Sequence, residues 1–476
     1  MRRIGAVLCV LGLLVALFGV GAGLSAAGEE TFAAEMRAEG FPESYLSGLT
    51  ALHTAHPAWV FRAQKTGLVW EEVLAAESAV GVSMVPSNSI ASWKSCDRGA
   101  YNPATGTWYG LDGASWVAAS RGIVAYCLDP RNALTETGIF QFENLAYSDT
   151  CSVDGVAAIL SGTFMEPYAD LFMAAGEAAG VSPYHLASRA RQEQGSRGNA
   201  LGLGTASGYA GYYNFFNINA YATSTLSAIQ NGARYAATKN DAYYLPWTSP
   251  ERAIKGGAVI LGNSYINRGQ NTLYLQKFDV TDGGNGLYTH QYMTNILAPT
   301  SEAVSLCAAY SEELKAGAME FCIPVYEEMP KELCKKPTST GNNNNLLKSL
   351  TVAGQTLTPT FSMYTTEYEL TVPTAVNSLT VSAAPSSSAA TVSGTGTVPL
   401  KAGANLVTVA VTAPGGEVRA YNLSVYRIPG EGGDVTAPPL TSTRYMVGAE
   451  ITGVAPAPER RSFWPPCRRR GRPCRW

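Results

Sequence analysis

The feature that most constrains this chain is a change of hydrophobic period at a run of four asparagines. Before Asn342–Asn345 apolar residues recur at helical spacing, whereas after it short Val, Leu and Thr stretches alternate with period two. Over residues 347–428 turn residues interrupt these stretches at the spacing of a β-sandwich. We therefore expect a multidomain protein, mainly α-helical before the run and an all-β sandwich after it.

The first 28 residues have the form of a secretory signal peptide. Arg2 and Arg3 precede an apolar run from Ile4 to Val20, and small residues follow up to Gly28. Because the run is short and exits through small residues, we expect cleavage rather than a retained membrane anchor. The mature protein is predicted to be secreted.

Residues 429–476 are predicted to be a linker and an anomalous tail. The final stretch, ERRSFWPPCRRRGRPCRW, has no periodicity, and we interpret it as a truncated or frame-shifted gene end rather than a basic anchor. From residue 459 onward it carries seven arginines against one glutamate, so the rest of the chain is more acidic than the net charge of −3 suggests. An acidic body argues against a nucleic-acid partner, which requires a basic groove.

The cysteine pattern predicts neither a metal site nor a cofactor. Of nine cysteines, one lies in the signal sequence and two in the tail, and the other six form no CxxC pair and have no histidine at metal-ligand spacing. Disulfides are compatible with secretion. The clustered Cys307, Cys322 and Cys334 are the best candidates for pairing.

The helical part is expected to contain three segments. Residues 29–165 form a mixed N-terminal region, and residues 166–298 combine helices with loops rich in glycine and tyrosine. Residues 299–346 are predicted to be a linker, because they end in a polar run with little apolar surface to bury.

One helix in the second segment carries the candidate chemistry. Ser182 followed by Pro183 is a strong helix start, and Gly195 supplies the stop. Within it Leu186 and Glu193 share one face.

Two influences on Glu193 favour its protonated form, namely the apolar face of the helix and the negative end of the helix dipole. Arg189, four residues earlier, acts in the opposite direction. A carboxyl that holds its proton near neutral pH can act as a general acid. The local pattern alone is more typical of an ordinary solvated glutamate.

The segment after this helix favours the chemical interpretation. Between Arg197 and Arg234 there is no charged residue, and the segment is dense in Gly, Tyr and Asn. Uncharged polar groups and flat aromatic rings suit sugars, which offer hydroxyl groups for hydrogen bonds and CH faces for stacking. A tyrosine-rich structural loop is the alternative.

Five blocks carry a family resemblance, and they occur in the family's order: Ala187–Gly195, Tyr213–Tyr221, Trp247–Ile254, Gly262–Asn267 and Gly269–Tyr274. Through them residues from about 170 to 298 resemble the endo-β-N-acetylglucosaminidase domain of bacterial autolysins, glycoside hydrolase family 73. The upstream segment, back to about Phe41, is similar to the region that precedes such domains. The resemblance implies a compact, lysozyme-like helical fold that cleaves β-1,4 bonds at N-acetylglucosamine in the glycan strands of peptidoglycan, at the cell wall or outside the cell.

Carried over residue by residue, the resemblance makes Glu193 the catalytic acid. It also implies that a set of polar and aromatic residues binds the glycan: Tyr213, Asn214, Phe216, Asn219, Tyr221 and Trp247. The family often has glycine where this chain has Asn217 or Asn219.

A second carboxylate is not evident in the sequence. Glycosidases commonly use two, but none lies between Glu193 and Asp241, and Asp241, Glu251 and Asp279 are weak candidates. We therefore expect the 2-acetamido group of the substrate to assist at the anomeric carbon. A muramidase or lytic transglycosylase is one alternative, and a non-catalytic wall-binding or adhesion protein is another.

The sandwich segment also has a family resemblance. Leu350–Val352, Leu357–Ser362, Tyr368–Pro373 and Asn405–Val409 carry a likeness to the cadherin-like β-sandwich module of secreted bacterial proteins. The resemblance implies spacing or adhesion, with the cell-wall surface as partner.

Overall fold

The computed structural model describes residues 28–430 except 283 and 285, and these fall into two compact units. The first unit extends to Thr340 and the second begins at Gly341. The first is mainly helical and the second is all-β, which confirms the expected multidomain fold class. Most of the predicted signal peptide and the tail from residue 431 lie outside the described residues.

The first unit is built mainly from α-helices whose apolar faces share one core. The helices are α1 (28–39), α2 (Glu43–Ala55), α3 (Trp70–Glu77), α4 (Arg121–Leu128), α5 (Val153–Leu160), α6 (Ala169–Ala179), α7 (Pro183–Gln194), α8 (Ala228–Ala236), α9 (Pro250–Ser264), α10 (Leu273–Phe278), α11 (Ala298–Ala309) and α12 (Glu312–Lys315). Helix α7 packs against α5 and α6, and α6 packs against α9. No helix among the described residues is long and apolar enough to cross a membrane.

The strands of the first unit are few and short, and they pair in twos. They are β1 (Val60–Val69), β2 (Met84–Pro86), β3 (Tyr101–Asn102), β4 (Thr107–Trp108), β5 (Trp116–Ala118) and β6 (Glu320–Glu327). Strands β2 and β5 pair antiparallel, as do β3 and β4. Strand β1 pairs in parallel with β6, with Phe61 opposite Phe321, so the two ends of the unit meet in one sheet.

The structure differs from the prediction of a linker over residues 299–346. The segment up to Thr340 belongs to the first unit and contains α11, α12 and β6. Phe321 and Ile323 are fully buried in the main core, and Phe321 stacks on Phe61 with 6.0 Å between ring centroids. The polar end of the segment, which suggested a linker, is not representative of the apolar residues before it.

The second unit is a two-sheet sandwich. Its strands are β7 (Leu347–Val352), β8 (Glu367–Val372), β9 (Ser378–Pro385), β10 (Thr391–Ser393), β11 (Gly396–Pro399), β12 (Gly403–Thr412) and β13 (Val418–Arg427). One sheet has the order β10-β12-β13-β8 and the other β11-β9-β7. Alternate residues such as Val407, Val409 and Val411 point into the core between the sheets, as the period-two pattern predicts.

The asparagine run belongs to this sandwich. Asn343, Asn344 and Asn345 are each less than a tenth exposed. The side chain of Asn344 accepts a hydrogen bond from the backbone of Leu346, and that of Asn345 accepts one from Arg419. Burial of Asn344 and Asn345 is compatible with a folded segment because these hydrogen bonds satisfy their side-chain oxygens.

The expected disulfide among Cys307, Cys322 and Cys334 is not present, since each of these three cysteines has a free thiol. Cys307, Cys322 and Cys334 lie in different surroundings. The Cys307 thiol lies near the carbonyl of Glu136, whereas the backbone of Cys334 donates to Asp129.

Candidate active site

Helix α7 begins and ends where the sequence predicts. The Ser182 hydroxyl accepts a hydrogen bond from the backbone N–H of His185 at 3.3 Å, and Pro183 occupies the first helical position. Gly195 ends the helix with φ of 65°, a conformation that favours glycine. Glu193 therefore lies in the last turn of a well-defined helix.

The Glu193 carboxylate is held at both oxygens. Its Oε1 lies 3.3 Å from Arg189 Nη2, and its Oε2 accepts a hydrogen bond from Asn217 Nδ2 at 2.9 Å. The same amide donates to the Glu193 backbone oxygen at 3.1 Å. With 19% of its side chain exposed, Glu193 is oriented by the protein yet open to a ligand.

Gln194 connects the helix end to the uncharged loop that follows. Its Nε2 donates to the backbone oxygens of Asn214 and Phe215 and to Asn217 Oδ1, all within 3.1 Å. Its Oε1 accepts from the backbone N–H of Gly202 at 3.1 Å. Gln194 is 6% exposed, so these bonds form away from solvent and fix the position of Asn217 against Glu193.

The two asparagines that replace family glycines both adopt a glycine-like backbone. Asn217 has φ of 51° and Asn219 has φ of 58°. Asparagine tolerates this left-handed region better than other residues with a side chain. The left-handed backbone thus explains why asparagine occurs where glycine is common in the resembled family. At Asn217 the side chain adds the contact with Glu193.

Three of the residues predicted to bind substrate are buried, which corrects that prediction. Asn214 and Trp247 are 0% exposed and Phe216 is 3% exposed. Asn214 exchanges hydrogen bonds with the backbone of Ile218, and Trp247 Nε1 donates to the Tyr243 carbonyl. The polar side-chain groups of Asn214 and Trp247 already form hydrogen bonds within the protein. These buried side chains therefore support the loop and do not contact a ligand.

The remaining predicted contacts are accessible. Tyr213 and Asn219 are half-buried, and Tyr221 is 47% exposed. The backbone of Tyr213 donates to the Trp247 carbonyl at 3.0 Å, and that of Tyr221 to the Asn219 carbonyl at 3.1 Å. The buried residues thus hold a loop that leaves two tyrosine rings available for contact with a ligand.

The structure adds two residues that the sequence analysis missed. They are Tyr292 and Glu302. Arg189 Nη2 donates a hydrogen bond to the Tyr292 hydroxyl oxygen at 3.0 Å, and Arg189 Nη1 lies 4.0 Å from Glu302 Oε2. Tyr292 follows α10 and Glu302 lies on α11, about one hundred residues after Glu193. No local motif marks them, and Glu302 falls in the segment predicted to be a linker.

The carboxylates considered from sequence are engaged elsewhere or exposed. Glu251 pairs with Lys255 at 2.7 Å on the surface of α9, and Asp241 is exposed in a single 3₁₀ turn. Asp279 is 2% exposed and accepts hydrogen bonds from the backbone of Thr289 and His290. Within the described part of the chain, no group of three or more His, Cys, Asp or Glu is arranged to hold a metal ion.

These features together suit acid-catalysed cleavage of an uncharged polar polymer. An oriented carboxyl ends a capped helix and faces a charge-free loop with accessible aromatic rings.

The chain is similar to bifunctional autolysins of staphylococci. It is 30% identical over 223 residues to the protein of Staphylococcus epidermidis, covering 44% of this chain and 16% of that one. It is 27% identical over 222 residues to the protein of Staphylococcus aureus, covering 44% and 17%. The matched region is thus about a sixth of the length of these curated relatives, and the matches confirm the resemblance to bacterial autolysins.

Two further comparisons concern the fold units. Residues 347–428 match the family model of the cadherin-like beta sandwich domain, which confirms the resemblance of the second unit. Among solved structures, S. aureus glucosaminidase B is 22% identical, with a TM-score of 0.43, covering 59% of this chain and 99% of that one.

Proposed function

We propose that this protein is a secreted peptidoglycan hydrolase, an endo-β-N-acetylglucosaminidase that cleaves β-1,4 bonds in cell-wall glycan strands. The observation that carries the proposal is the Glu193 carboxyl, oriented by Arg189 and Asn217 beside an uncharged loop. The similarity to bifunctional autolysins supports it. A secreted or wall-associated location follows from the substrate and from the predicted signal peptide.

In the proposed reaction Glu193 protonates the leaving glycosidic oxygen. Its orientation by Asn217 means that little side-chain freedom is lost when the substrate binds. The half-buried Tyr213 and the exposed Tyr221 would stack on sugar rings or orient the 2-acetamido group, in agreement with their accessible positions.

The acetamido group of the substrate would assist at the anomeric carbon. The placements of Asp241, Glu251 and Asp279 support this assignment, because the first is exposed on another element, the second is paired with Lys255, and the third is buried in backbone hydrogen bonds. Substrate assistance is an established route for sugars that carry this group.

A zymogram with cell walls cast into the gel tests the proposal. Wild type should clear the walls, and Glu193→Gln should reduce clearing by about 100-fold or more, since general acids contribute on that order. Asp241→Asn removes an exposed carboxylate of the same region and should leave lysis nearly intact. Lysis by Glu193→Gln at the wild-type rate would refute the assignment of the acid.

Mass spectrometry of the digested peptidoglycan identifies the bond that is cleaved. New reducing N-acetylglucosamine ends support the proposed activity. Reducing muramic ends would indicate a muramidase, and anhydro-muramic ends a lytic transglycosylase. Absence of any cleavage would indicate a wall-binding protein.

We further propose that the cadherin-like unit contacts the cell-wall surface. It contains none of the proposed catalytic residues, and its exposed strand faces are available for a surface partner. Co-sedimentation with purified walls, comparing the chain through residue 430 with one that ends at Thr340, should show weaker binding of the shorter chain. Equal sedimentation would refute the proposal.

A further inference from the structure

One guanidinium lies between two carboxyl groups beside the proposed acid. Arg189 is 14% exposed in its side chain, and it meets Glu193 at 3.3 Å and Glu302 at 4.0 Å. Its Nη2 also donates to the Tyr292 hydroxyl at 3.0 Å. Three segments therefore converge on Arg189: its own helix α7, the loop after α10, and α11.

Glu302 lies in a largely desolvated position. It lines a cavity of about 260 Å³ together with His185, Ser188 and Arg189. Burial raises the pKa of Glu302, Arg189 opposes that rise, and the charge of Glu193 adds to it. The two carboxyl groups thus interact electrostatically, both directly and through the shared Arg189.

The other basic groups of this cavity do not neutralise Glu302. Burial, with Arg189 in addition, lowers the pKa of His185 to about 3, so the imidazole is neutral at the pH of any plausible assay. Arg191 lines the cavity too, but its Nη1 donates to the Ile159 carbonyl at 2.7 Å. Among these groups, Arg189 is the cation that both carboxylates share.

We propose that Glu302 is a positioning residue that acts through Arg189 to control the protonation of Glu193. A carboxylate that shares the guanidinium reduces the stabilisation that Arg189 gives to ionised Glu193, and its own charge repels that of Glu193. Both effects favour the protonated acid that cleavage requires. This inference rests on the proposed function, because it assigns Glu302 a role in the reaction of Glu193.

The geometry also explains why Arg189 is tolerated next to a general acid. Alone, a cation one helical turn away would favour the ionised carboxylate. Arg189 also donates to the Tyr292 hydroxyl and lies near Glu302, so its positive charge is shared between Glu193 and Glu302.

The test is the pH dependence of cleavage of soluble, uncross-linked glycan strands by the full chain. In Glu302→Gln the alkaline limb of the pH profile should move to lower pH by about 0.5–1 unit. At neutral pH kcat should fall about threefold to tenfold, while KM changes less than twofold. Glu302→Asp keeps the charge on a shorter side chain, so its alkaline limb should lie closer to the wild-type position than that of Glu302→Gln.

A double variant tests whether Glu302 acts through Arg189. If it does, Glu302→Gln should shift the profile less in the Arg189→Gln background than in wild type, because the shared cation is gone and only the direct repulsion between the two carboxylates remains. Glu251→Gln makes the same substitution at an exposed glutamate paired with Lys255 and should leave the wild-type profile unchanged.

The outcomes separate this inference from the proposed function. An active wild type whose pH profile coincides with that of Glu302→Gln overturns the inference and leaves the proposed function intact. A wild type that releases no reducing ends overturns the proposed function itself. If Glu302→Gln lacks a cooperative thermal transition, Glu302→Ala removes the same charge in its place, and a wild-type profile there overturns the inference.

Discussion

Asn217 Nδ2 lies 2.9 Å from Glu193 Oε2 and 3.1 Å from the Glu193 backbone oxygen, so one amide fixes both the carboxyl and the helix end that carries it. Asn217 is in turn held by Gln194, which follows Glu193 directly in the chain. The acid and its support are thus built from adjacent residues of α7 and one residue of the loop.

The first prediction separates the two asparagines with positive φ. Asn217→Gly keeps the backbone conformation but removes the donor to Glu193, so kcat should fall about 10- to 100-fold with little change in KM. Asn219→Gly makes the same exchange at a proposed substrate contact and should raise KM while kcat is retained. Steady-state kinetics on soluble glycan strands measure both, and identical effects of the two substitutions would contradict the assignment.

The second prediction concerns the buried amide of Gln194. Gln194→Ala leaves the carbonyls of Asn214 and Phe215 without their buried donor, which should cost about 1–3 kcal/mol of unfolding free energy. Limited proteolysis should then cut the loop at 199–223 faster than in wild type. Gln230→Ala, in the capping box of α8, should cost about 1 kcal/mol or less and leave that loop protected. Equal protection of the loop in both variants would argue against the role of Gln194 in holding it.

The helix was predictable and its surroundings were not. Ser182, Pro183 and Gly195 are local signals, and each acts in the structure as its residue type suggests. Glu302 and Tyr292 reach Arg189 through tertiary packing, which no spacing within α7 encodes. A single sequence therefore points to Glu193 as the proposed acid but does not identify the distant groups around Arg189.

Two errors of the sequence analysis have a common cause. The resemblance implied that Trp247 binds the glycan, yet its flat apolar ring is equally suited to the core and is buried there. The asparagine run suggested a linker by its polarity, yet hydrogen bonds allow it to be buried. Residue type indicates what a side chain can contact, whereas burial is decided by the whole fold.

The third prediction follows from Glu143, a buried carboxyl of the first unit. Tyr310 donates to its Oε1 at 2.7 Å, and its Oε2 has no hydrogen-bond partner. Burial raises the pKa of Glu143 to about 8, against the opposing effect of the Tyr310 hydrogen bond. In the unfolded chain the carboxyl ionises near its ordinary value of 4.5. Between these values the folded state retains a proton that the unfolded state has lost.

Stability should therefore decline as pH rises from about 4.5 to about 8, with a contribution from Glu143 of up to ~1.4 kcal/mol per pH unit, and level off above. Glu143→Gln resembles the protonated form and should lack this contribution. Urea unfolding followed by tryptophan fluorescence measures it, since residues 341–430 contain no tryptophan. If the free energy of unfolding of Glu143→Gln declined with pH as steeply as that of wild type, the prediction would be contradicted.

The fourth prediction concerns a fully buried ion pair that supports the Tyr292 loop. Lys277 Nζ lies 3.2 Å from Glu77 Oε2, both side chains are 0% exposed, and Gln291 bonds to both partners. Lys277→Met leaves Glu77 buried without its cation and should cost about 3–5 kcal/mol. Adding Glu77→Leu should recover much of that loss, as a double-mutant cycle by urea unfolding would reveal. A double variant less stable than Lys277→Met would contradict this account.

The fifth prediction tests where the first unit ends. A chain that stops at residue 298, the end of the segment resembling the glucosaminidase domain, lacks α11 and β6 and so exposes the core that Phe321 and Ile323 complete. Each of these side chains contributes about 1.5–3 kcal/mol by burial, and β1 loses its partner strand. We therefore expect this chain to be insoluble or to lack a cooperative thermal transition, whereas a chain ending at Thr340 should melt like the first unit of the full protein. A soluble, active chain ending at residue 298 would mean that α11, and with it Glu302, is dispensable for both folding and cleavage.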